Sequence, residues 1–281
     1  MEIKAYGKIN LSLDVTGTLP NGYHSVSMVM QSVEMCDIVY VEKNDTKIIT
    51  VTCDNENVPS GRENIAYRAA ELMVEEFNLP CGFSIDIEKN IPLAGGMAGG
   101  STDAAAVMRA INEICALNQT EEKLMELGLK LGADVPFCIQ THPALAEGIG
   151  EKLSRVTGLS KDLYILLVNP NILISTKEIY NLIDENKNYN TIDNKKLIQA
   201  LKNKDLNAAK ENMKNVMQEV SSTICPQIDE IIKKLCESGA DVALMSGSGA
   251  TCYGVFKDKE KAILAKNAFN NYFTAITNPV E

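Results

Sequence analysis

The chain has 281 residues, and its 37 acidic against 27 basic side chains give a formal net charge of −10. This length allows one large domain or two modest ones with substantial cores. The negative charge argues against a broad grip on nucleic acid and against attraction to an anionic membrane surface. We find no bilayer-spanning apolar run and no signal peptide after Met1, so we expect a cytoplasmic protein without membrane or nucleic-acid partners.

The first predicted element is a strand over residues 2–15, in which polar and apolar residues alternate. Lys8 and Asn10 both lie on its polar face, near the middle. They either lie in solvent on the open side of a sheet or line a cleft. Asn21-Gly22 predicts a turn after this strand. The next predicted elements are strands over residues 26–33, 38–42, 47–53 and 83–88, and a helix over residues 63–77.

Residues 91–106 form the most distinctive segment, Ile-Pro-Leu-Ala-Gly-Gly-Met-Ala-Gly-Gly-Ser-Thr-Asp-Ala-Ala-Ala. The glycines disfavour a regular element, whereas the following apolar residues have helical spacing, with Ser101 or Thr102 as the predicted N-cap. A loop of bare amides that leads into a helix is suited to bind phosphate, although a plain surface turn is the alternative. The segment lacks the lysine of a Walker A loop and the glycine spacing of a dinucleotide-binding turn.

Asp134 stands between a predicted helix, from Thr120 to Gly132, and a predicted apolar strand over residues 135–139. An aspartate in such a connection either forms a turn or takes part in chemistry. Residues 246–250, Ser-Gly-Ser-Gly-Ala, predict a tight hairpin or a turn that pairs with the glycine-rich segment. The other predicted elements are strands over residues 163–168, 241–245 and 251–256 and one ending at 276, helices from 176 and over 193–202, 205–220, 226–237 and 259–271, and a polar loop over 184–194.

The eight cysteines and two histidines are scattered along the chain, and no Cys-x-x-Cys occurs. This distribution predicts neither a disulfide framework nor a zinc site. Most of the cysteines stand among apolar residues, where a thiol behaves as a small hydrophobic side chain. We therefore predict no metal-ligating side chains.

Three stretches, in order along the chain, resemble the three motifs of the GHMP small-molecule kinases. They are Lys-Ile-Asn-Leu at residues 8–11, the run 92–106, and Gly-Ser-Gly-Ala at 247–250. Gly-Tyr-His at 22–24 and Leu-Gly-Ala-Asp-Val-Pro at 131–136 resemble one branch of that family. This branch uses ATP to phosphorylate the 2-hydroxyl of a cytidine diphosphate-linked methylerythritol in non-mevalonate isoprenoid synthesis.

The resemblance extends over nearly the whole chain and implies an α+β fold of two domains. Residues 1–154 would form an N-terminal GHMP kinase domain of the ribosomal protein S5 domain 2 type, which carries the phosphate loop. Residues 155–281 would form a ferredoxin-like C-terminal GHMP kinase domain. The resemblance further implies ATP as co-substrate, Mg²⁺ that bridges its phosphates, and small-molecule substrates. We expect a monomer or a weak homodimer.

The resemblance also implies roles for individual residues of the phosphoryl-transfer machinery. Asp134 matches the catalytic base, and Lys8 matches the lysine that helps to ionise the attacking hydroxyl and offsets its charge. Asn10 would help to hold the acceptor, and Asn64 resembles a position near the adenine. The residues that match the ATP-binding loop are Pro92, Leu93, Ala94, Gly95, Gly96, Met97, Ala98, Gly99, Gly100, Ser101 and Thr102.

Three aromatic residues are matched to recognition of the cytosine. Tyr23 and His24 match residues that hold the base, one by stacking and one by hydrogen bonds. Tyr180 falls where the family places a second aromatic ring against it. Another GHMP kinase, of the mevalonate or homoserine type, would share the glycine-rich loops but not Gly-Tyr-His at residues 22–24.

The sequence departs from the family pattern at a few positions. Ala98 replaces a glycine, so this position should not need a positive φ. Thr102 replaces a serine but keeps a hydroxyl that could contact phosphate or Mg²⁺. Thr-Leu-Pro-Asn at residues 18–21 replaces a stretch that often carries arginine and aspartate. A non-catalytic nucleotide-binding regulator on the same fold is the remaining alternative, and the presence of both Lys8 and Asp134 argues against it.

Overall fold

A computed structural model describes residues 1–20, 22–186 and 192–281. The strands in these ranges are β1 (Glu2–Thr18), β2 (His24–Asn44), β3 (Ile49–Cys53), β4 (Gly82–Glu88), β5 (Ala144–Gly148), β6 (Lys152–Arg155), β7 (Tyr164–Asn169), β8 (Val242–Met245), β9 (Cys252–Phe256) and β10 (Phe273–Thr277). The helices are α1 (Ile65–Glu76), α2 (Gly99–Ile114), α3 (Glu121–Leu129), α4 (Val135–Gln140), α5 (Thr176–Asn186), α6 (Asn194–Lys202), α7 (Leu206–Lys210), α8 (Met217–Ile224), α9 (Gln227–Glu237) and α10 (Lys259–Lys266), and a 3₁₀ turn follows at Asn267–Phe269.

The chain divides into two compact units, each assembled from several segments. The first unit comprises Met1–Gly7, Cys36–Ile91 and Ala98–Thr141, and the second comprises Lys8–Met35, Pro92–Met97 and His142–Glu281. The strands β1 and β2 therefore contribute residues to both units. The sequence-continuous domains 1–154 and 155–281 stay a prediction.

In the first unit, β4 pairs with β2 on one side and with β3 on the other. The pairing with β2 is antiparallel, with Val39 opposite Ile87, and the pairing with β3 is parallel, with Val51 opposite Ile85. The helices α1 and α2 pack on each other. Their contacting faces are rich in alanine, including the fully buried Ala69 of α1. Small side chains let the two helix backbones approach closely, which removes apolar surface from water.

The second unit contains an antiparallel sheet in the order β10-β7-β9-β8. β7 and β9 are its central strands, and every residue of β9 is buried. The helices α9 and α10 pack against this sheet. In a second antiparallel ladder, β5 pairs with residues 26–30 of β2 on one side and with β6 on the other. Within the described ranges, no helix has the length and apolar character needed to cross a bilayer. No disulfide joins the eight cysteines, all of which lie in those ranges.

The predicted starts of two helices are confirmed, and each has a side-chain cap. Thr120 caps α3 by accepting the N–H of Lys123 at 3.3 Å, and Asp193 caps α6 by accepting the N–H of Lys196 at 3.1 Å. The residues of the predicted turn at Asn21-Gly22 are described only in part, since Asn21 lies outside the described ranges. The predicted polar loop is wrong for residues 184–186, which belong to α5, and its residues 187–191 lie outside those ranges.

Three further predictions are wrong. Residues 26–33 and 38–42 belong to one strand, β2. Residues 135–139 form helix α4 instead of a strand, since Pro136 lies in the first helical turn, where its missing N–H costs nothing. The single helix predicted over 205–220 is broken, because residues 214–216 bond to the backbone of Leu13 in β1.

Candidate active site

In the second unit, two glycine-rich turns pack against each other. Ser246 Oγ donates a hydrogen bond to the carbonyl of Gly96 at 2.9 Å, and the N–H of Thr251 donates to the carbonyl of Gly95 at 3.3 Å. Gly96 has φ = +73°, and a Cβ there would lie 2.1 Å from the carbonyl oxygen of Ser246. The alternative that residues 246–250 pair with the glycine-rich segment is therefore confirmed, and Gly96 is the residue that allows the close approach.

Two alanines of the glycine-rich segment adopt the left-handed conformation. Ala94 has φ = +47° and Ala98 has φ = +58°. The expectation that Ala98 would not need a positive φ is therefore wrong. An L-residue with a Cβ holds this conformation at a cost of roughly 1–2 kcal/mol, so the turn at Ala98 is held by its surroundings against local preference.

In the first unit, α2 starts directly after that turn. Ala98 is its N-cap, without a side-chain hydrogen bond, so the predicted cap at Ser101 or Thr102 is wrong. Gly99 is the first residue of this helix. A Cβ there would lie 3.2 Å from both Ile91 Cγ2 and Lys89 Nζ, so a larger residue would crowd these side chains. The N–H groups of the first helical turn have no partner inside the helix and carry a partial positive charge. Thr102 is buried, and its hydroxyl donates to the carbonyl of Tyr6 at 2.8 Å.

Lys8 is held next to the second unit's glycine-rich turns. Its side chain is buried, with the residue 4% exposed, which excludes the solvated-face alternative. The ammonium donates to Asn10 Oδ1 at 2.7 Å, and the backbone N–H of Lys8 donates to the carbonyl of Met97 at 3.1 Å. An ammonium has three donors, so Lys8 retains capacity for further acceptors while Asn10 fixes its direction.

Asn10 is the centre of this arrangement and is fully buried. Its Oδ1 also accepts the N–H of Gly247 at 3.0 Å, and its Nδ2 donates to Met28 Sδ at 3.2 Å. Its carbonyl accepts the hydroxyl of Tyr253 at 2.9 Å. Asn10 therefore joins Lys8 to the turn at 246–250, with both ends of its amide engaged within the protein.

Asn64 and Asp134, both in the first unit, stand at helix starts. Asn64 caps α1, since its Oδ1 accepts the N–H of Ala66 at 2.8 Å and its Nδ2 donates to the carbonyl of Pro59 at 2.8 Å. One amide hydrogen and one oxygen lone pair of Asn64 remain beyond these bonds. Asp134 occupies the N-cap of α4 without a capping hydrogen bond, and it is half-buried. Its carboxylate therefore makes no capping hydrogen bond to the helix that it precedes.

A buried cluster of charges in the first unit was not predicted from the sequence. Lys89 Nζ donates to Asp37 Oδ2 and, at 2.8 Å, to Asp103 Oδ2, and these three side chains are at most 5% exposed. Asp37 Oδ1 also accepts the backbone N–H of Ile91 at 2.8 Å, whereas Asp103 Oδ1 is buried without a hydrogen-bond partner among the described residues.

One ammonium thus faces two carboxylates in a dry environment. Burial is the main cause that raises the pKa of Asp103, to about 8; Lys89 opposes the shift and Asp37 adds to it. Burial by itself lowers the pKa of Lys89, but the two carboxylates outweigh it and the pKa is raised. The cluster therefore holds a charged lysine between two carboxyl groups that cannot both ionise easily.

Two of the three residues matched to cytosine recognition are packed on each other in the second unit. The rings of His24 and Tyr180 are stacked, with centroids 4.4 Å apart and planes 15° apart. Nε2 of His24 lies 2.8 Å from Oδ1 of Asp184. Tyr23, the third residue, is 60% exposed. Sequence reasoning missed Asp184, although its position four residues after Tyr180 places both on one helix face.

Other positioning residues were also missed. Asn215 Nδ2 donates to the carbonyls of Met245 and Gly247, at 2.9 and 2.8 Å, and so supports the turn at 246–250. The only local sequence signal for this role of Asn215 is a polar residue within a segment whose pattern predicts a helix. Among the described residues, no group of three or more His, Cys, Asp or Glu side chains could hold a metal ion.

Comparisons with known proteins agree on one family. Residues 64–142 match the family model described as GHMP kinases N terminal domain, and residues 197–275 match the GHMP kinases C terminal model. The 4-diphosphocytidyl-2-C-methyl-D-erythritol kinase of Clostridioides difficile (strain 630) is 43% identical over 266 residues, which cover 95% of this chain and 90% of that protein. The enzyme of the same name from Acetivibrio thermocellus is 42% identical over 271 residues, 96% of this chain and 95% of its own.

Solved structures give the same result. A crystal structure of 4-(cytidine 5'-diphospho)-2C-methyl-D-erythritol kinase matches with a TM-score of 0.83 and 27% identity, and the match covers 99% of each chain. A mevalonate kinase from L. major, 17% identical, matches with a TM-score of 0.77 over 99% of this chain and 96% of that one. The latter likeness concerns the fold alone. The two-domain α+β GHMP kinase fold is thereby confirmed.

Proposed function

Because this chain belongs to the GHMP kinases, and within them to the 4-diphosphocytidyl-2-C-methyl-D-erythritol kinases, we propose that it transfers the γ-phosphoryl group of ATP to the 2-hydroxyl of 4-diphosphocytidyl-2-C-methyl-D-erythritol. The reaction would serve the non-mevalonate route to isoprenoids. The observation that carries the proposal is the placement of Lys8. This buried ammonium is oriented by Asn10, which also binds the turn at residues 246–250.

Phosphoryl transfer asks a protein for positioning and charge stabilisation more than for covalent chemistry. In the proposed mechanism, the hydroxyl oxygen of the polyol forms a bond to the γ-phosphorus while the bond to the β,γ-bridging oxygen breaks and ADP leaves. Asp134 accepts the hydroxyl proton as general base. Lys8 stabilises the negative charge that develops on the attacking oxygen. Asn10 acts on the acceptor mainly through Lys8, because the lone pairs of its Oδ1 are engaged by Lys8 and Gly247.

ATP would be held mainly by backbone groups. Pro92 to Met97 supply the loop, and the first N–H groups of α2, from Gly99 on, supply the positive end of a helix for the phosphates. Asn64 contributes near the adenine with the donor and acceptor capacity that its capping bonds leave. We propose that Mg²⁺ would enter as the ATP complex and would neutralise part of the phosphate charge.

The cytidine end would be recognised by Tyr23, His24 and Tyr180. An exposed Tyr23 next to the turn at Gly22 is suited to stack on a base. These residues distinguish the proposal from a mevalonate or homoserine kinase on the same fold. Lys8 and Asp134, as a cation and a carboxylate in family catalytic positions, argue for a catalyst instead of a nucleotide-binding regulator.

The proposal is tested with the purified full chain, ATP and Mg²⁺. The chain is incubated in parallel with 4-diphosphocytidyl-2-C-methyl-D-erythritol, mevalonate and homoserine, and products are identified by ³¹P NMR. We expect a new phosphomonoester on the 2-oxygen of the cytidine-linked substrate only. Faster turnover of mevalonate or homoserine than of the cytidine-linked polyol would overturn the proposed substrate. ATP binding without transfer to any of the three would overturn the proposed activity.

A further inference from the structure

One helix of the second unit, α5, contacts the His24 side chain on two sides. Tyr180 and Asp184 are four residues apart on α5 and therefore share a helix face. The Tyr180 ring covers one face of the imidazole, and the Asp184 carboxylate meets its Nε2 edge at 2.8 Å. The His24 side chain is only 7% exposed, whereas that of Asp184 is 44% exposed. The imidazole is therefore held in one orientation.

The contact with Asp184 also selects the protonation pattern of the ring. An ionised carboxylate can only accept hydrogen bonds, so Nε2 of His24 must carry a proton. In the neutral ring this makes Nδ1 an acceptor, because only one ring nitrogen is protonated. Asp184 Oδ1 also lies 3.4 Å from the hydroxyl of Thr18, which donates to it. That second donor keeps the carboxylate directed at this end of β1.

The stacking geometry decides which part of His24 a base can use. Stacked groups need about 3.5 Å on each side of an inserted ring, so a base cannot enter between rings whose centroids are 4.4 Å apart. One face and the Nε2 edge of the imidazole are thus engaged by α5. The remaining polar atom of the ring is Nδ1.

We propose that Asp184 is a positioning residue that makes the enzyme selective for cytosine over uracil, by presenting Nδ1 of His24 as a fixed acceptor. The exocyclic amino group of cytosine is a donor, whereas uracil carries a carbonyl oxygen at the same position. A uracil base would place an acceptor against an acceptor and leave both unpaired, which a buried site penalises strongly. This inference rests on the proposed function, in which His24 contacts the base.

The test compares Asp184→Asn with wild type. The amide of asparagine can turn its NH₂ toward Nε2, so the ring can carry its proton on Nδ1 and donate to a uracil carbonyl. Glu185→Gln is the matched control, because it removes the same charge from the next, exposed position of α5. Asp184→Glu, which retains an acceptor, should restore part of the selectivity.

Two measurements are made, both at pH 8. The first is kcat/KM for the cytidine substrate and for its uridine analogue. The second is the ¹⁵N spectrum of the imidazoles in the substrate-free protein. His24 and His142 are the only histidines in the sequence, and His142→Gln assigns the two signals.

We expect wild type and Glu185→Gln to show the Nε2–H tautomer at His24 and a strong preference for cytidine. In Asp184→Asn, the cytidine-to-uridine ratio should fall by about tenfold or more, the Nδ1–H tautomer should appear, and the loss should lie mainly in KM. An Nδ1–H tautomer in wild type, or an unchanged ratio in Asp184→Asn, overturns the inference alone. Absence of turnover with either substrate in wild type overturns the proposed function and this inference with it.

Discussion

A buried hydrogen bond joins Lys89 to Asp103, with Nζ 2.8 Å from Oδ2, although the four glycines of residues 95–100 lie between them in the chain. Lys89 precedes Pro92, and Asp103 lies in the first turns of α2. This bond therefore connects the chain before the glycines to helix α2, within the first unit. Asp37 binds the same ammonium and adds to the rise in the pKa of Asp103. The stability of the fold should therefore depend on pH.

Asp103→Asn should flatten the pH dependence of stability. The pKa of Asp103 is about 8 in the folded protein, against an ordinary value of 3.8. Between these values the folded state binds more protons than the unfolded chain, so the free energy of unfolding falls as pH rises, by at most about 1.4 kcal/mol per pH unit. Urea unfolding from pH 5 to 8 measures the slope. The variant should lose most of this decline, whereas Glu113→Gln, exposed on the same helix, should retain it; equal slopes in all three proteins would refute the assignment.

Ala98→Gly should stabilise the protein by about 1 kcal/mol. Ala98 has φ = +58°, a conformation that glycine adopts without the steric cost of a Cβ, and this gain exceeds the added freedom of the unfolded chain. Thermal and urea unfolding report the change. Ala208→Gly, in the exposed part of α7, is the control and should destabilise by about 1 kcal/mol. A loss of stability in both variants would show that Ala98 is not strained.

Gly96→Ala should impair the proposed ATP site while leaving the fold of the first unit intact. The new Cβ would lie 2.1 Å from the Ser246 carbonyl, so the contact between the two glycine-rich turns must open. If the phosphates bind here as proposed, a displacement of this size can lower kcat/KM for ATP by about 10²-fold. Gly61→Ala, where nothing lies within 4 Å of the new Cβ, should have wild-type kinetics. Wild-type kinetics in Gly96→Ala itself would contradict a role for this contact.

Tyr23→Ala should weaken binding of the cytidine substrate by about 1–3 kcal/mol, by analogy with base stacking elsewhere. The side chain is largely exposed, so its loss should leave the fold intact. The KM for the cytidine substrate should rise while the KM for ATP stays constant, and Tyr23→Phe should behave as wild type. An unchanged KM in the alanine variant would place the cytosine elsewhere.

Local sequence signals predicted those parts of the fold that local physics decides. Thr120 caps its helix as expected, and the helix predicted from Asp193 starts there with Asp193 as its cap, because a side-chain oxygen needs only the N–H three residues ahead. The strand over residues 135–139 was wrong because apolar runs of this length fit either element, and Pro136 at the helix start was the deciding signal. The break at residues 214–216 depends on Leu13, some two hundred residues away in the chain, and no local pattern encodes it.

In the candidate site, too, local sequence features could be predicted and contacts between distant residues could not. Alternation in the first strand correctly placed Lys8 and Asn10 on one face, but not their burial or the bond from Gly247 to Asn10. Family resemblance supplied roles for His24 and Tyr180, but not the carboxylate of Asp184 that orients the imidazole. Such partners are chosen by tertiary contacts, which single-sequence periodicity does not report.

The most direct test of the account is the rate of phosphoryl transfer in Asp134→Asn, measured by rapid quench in a single turnover with saturating ATP, Mg²⁺ and the cytidine-linked polyol. The amide keeps the shape of the side chain but cannot accept the hydroxyl proton, so the account predicts a fall of at least about 10²–10⁴-fold, with the Kd for ATP and the unfolding midpoint unchanged. Transfer at the wild-type rate would contradict it.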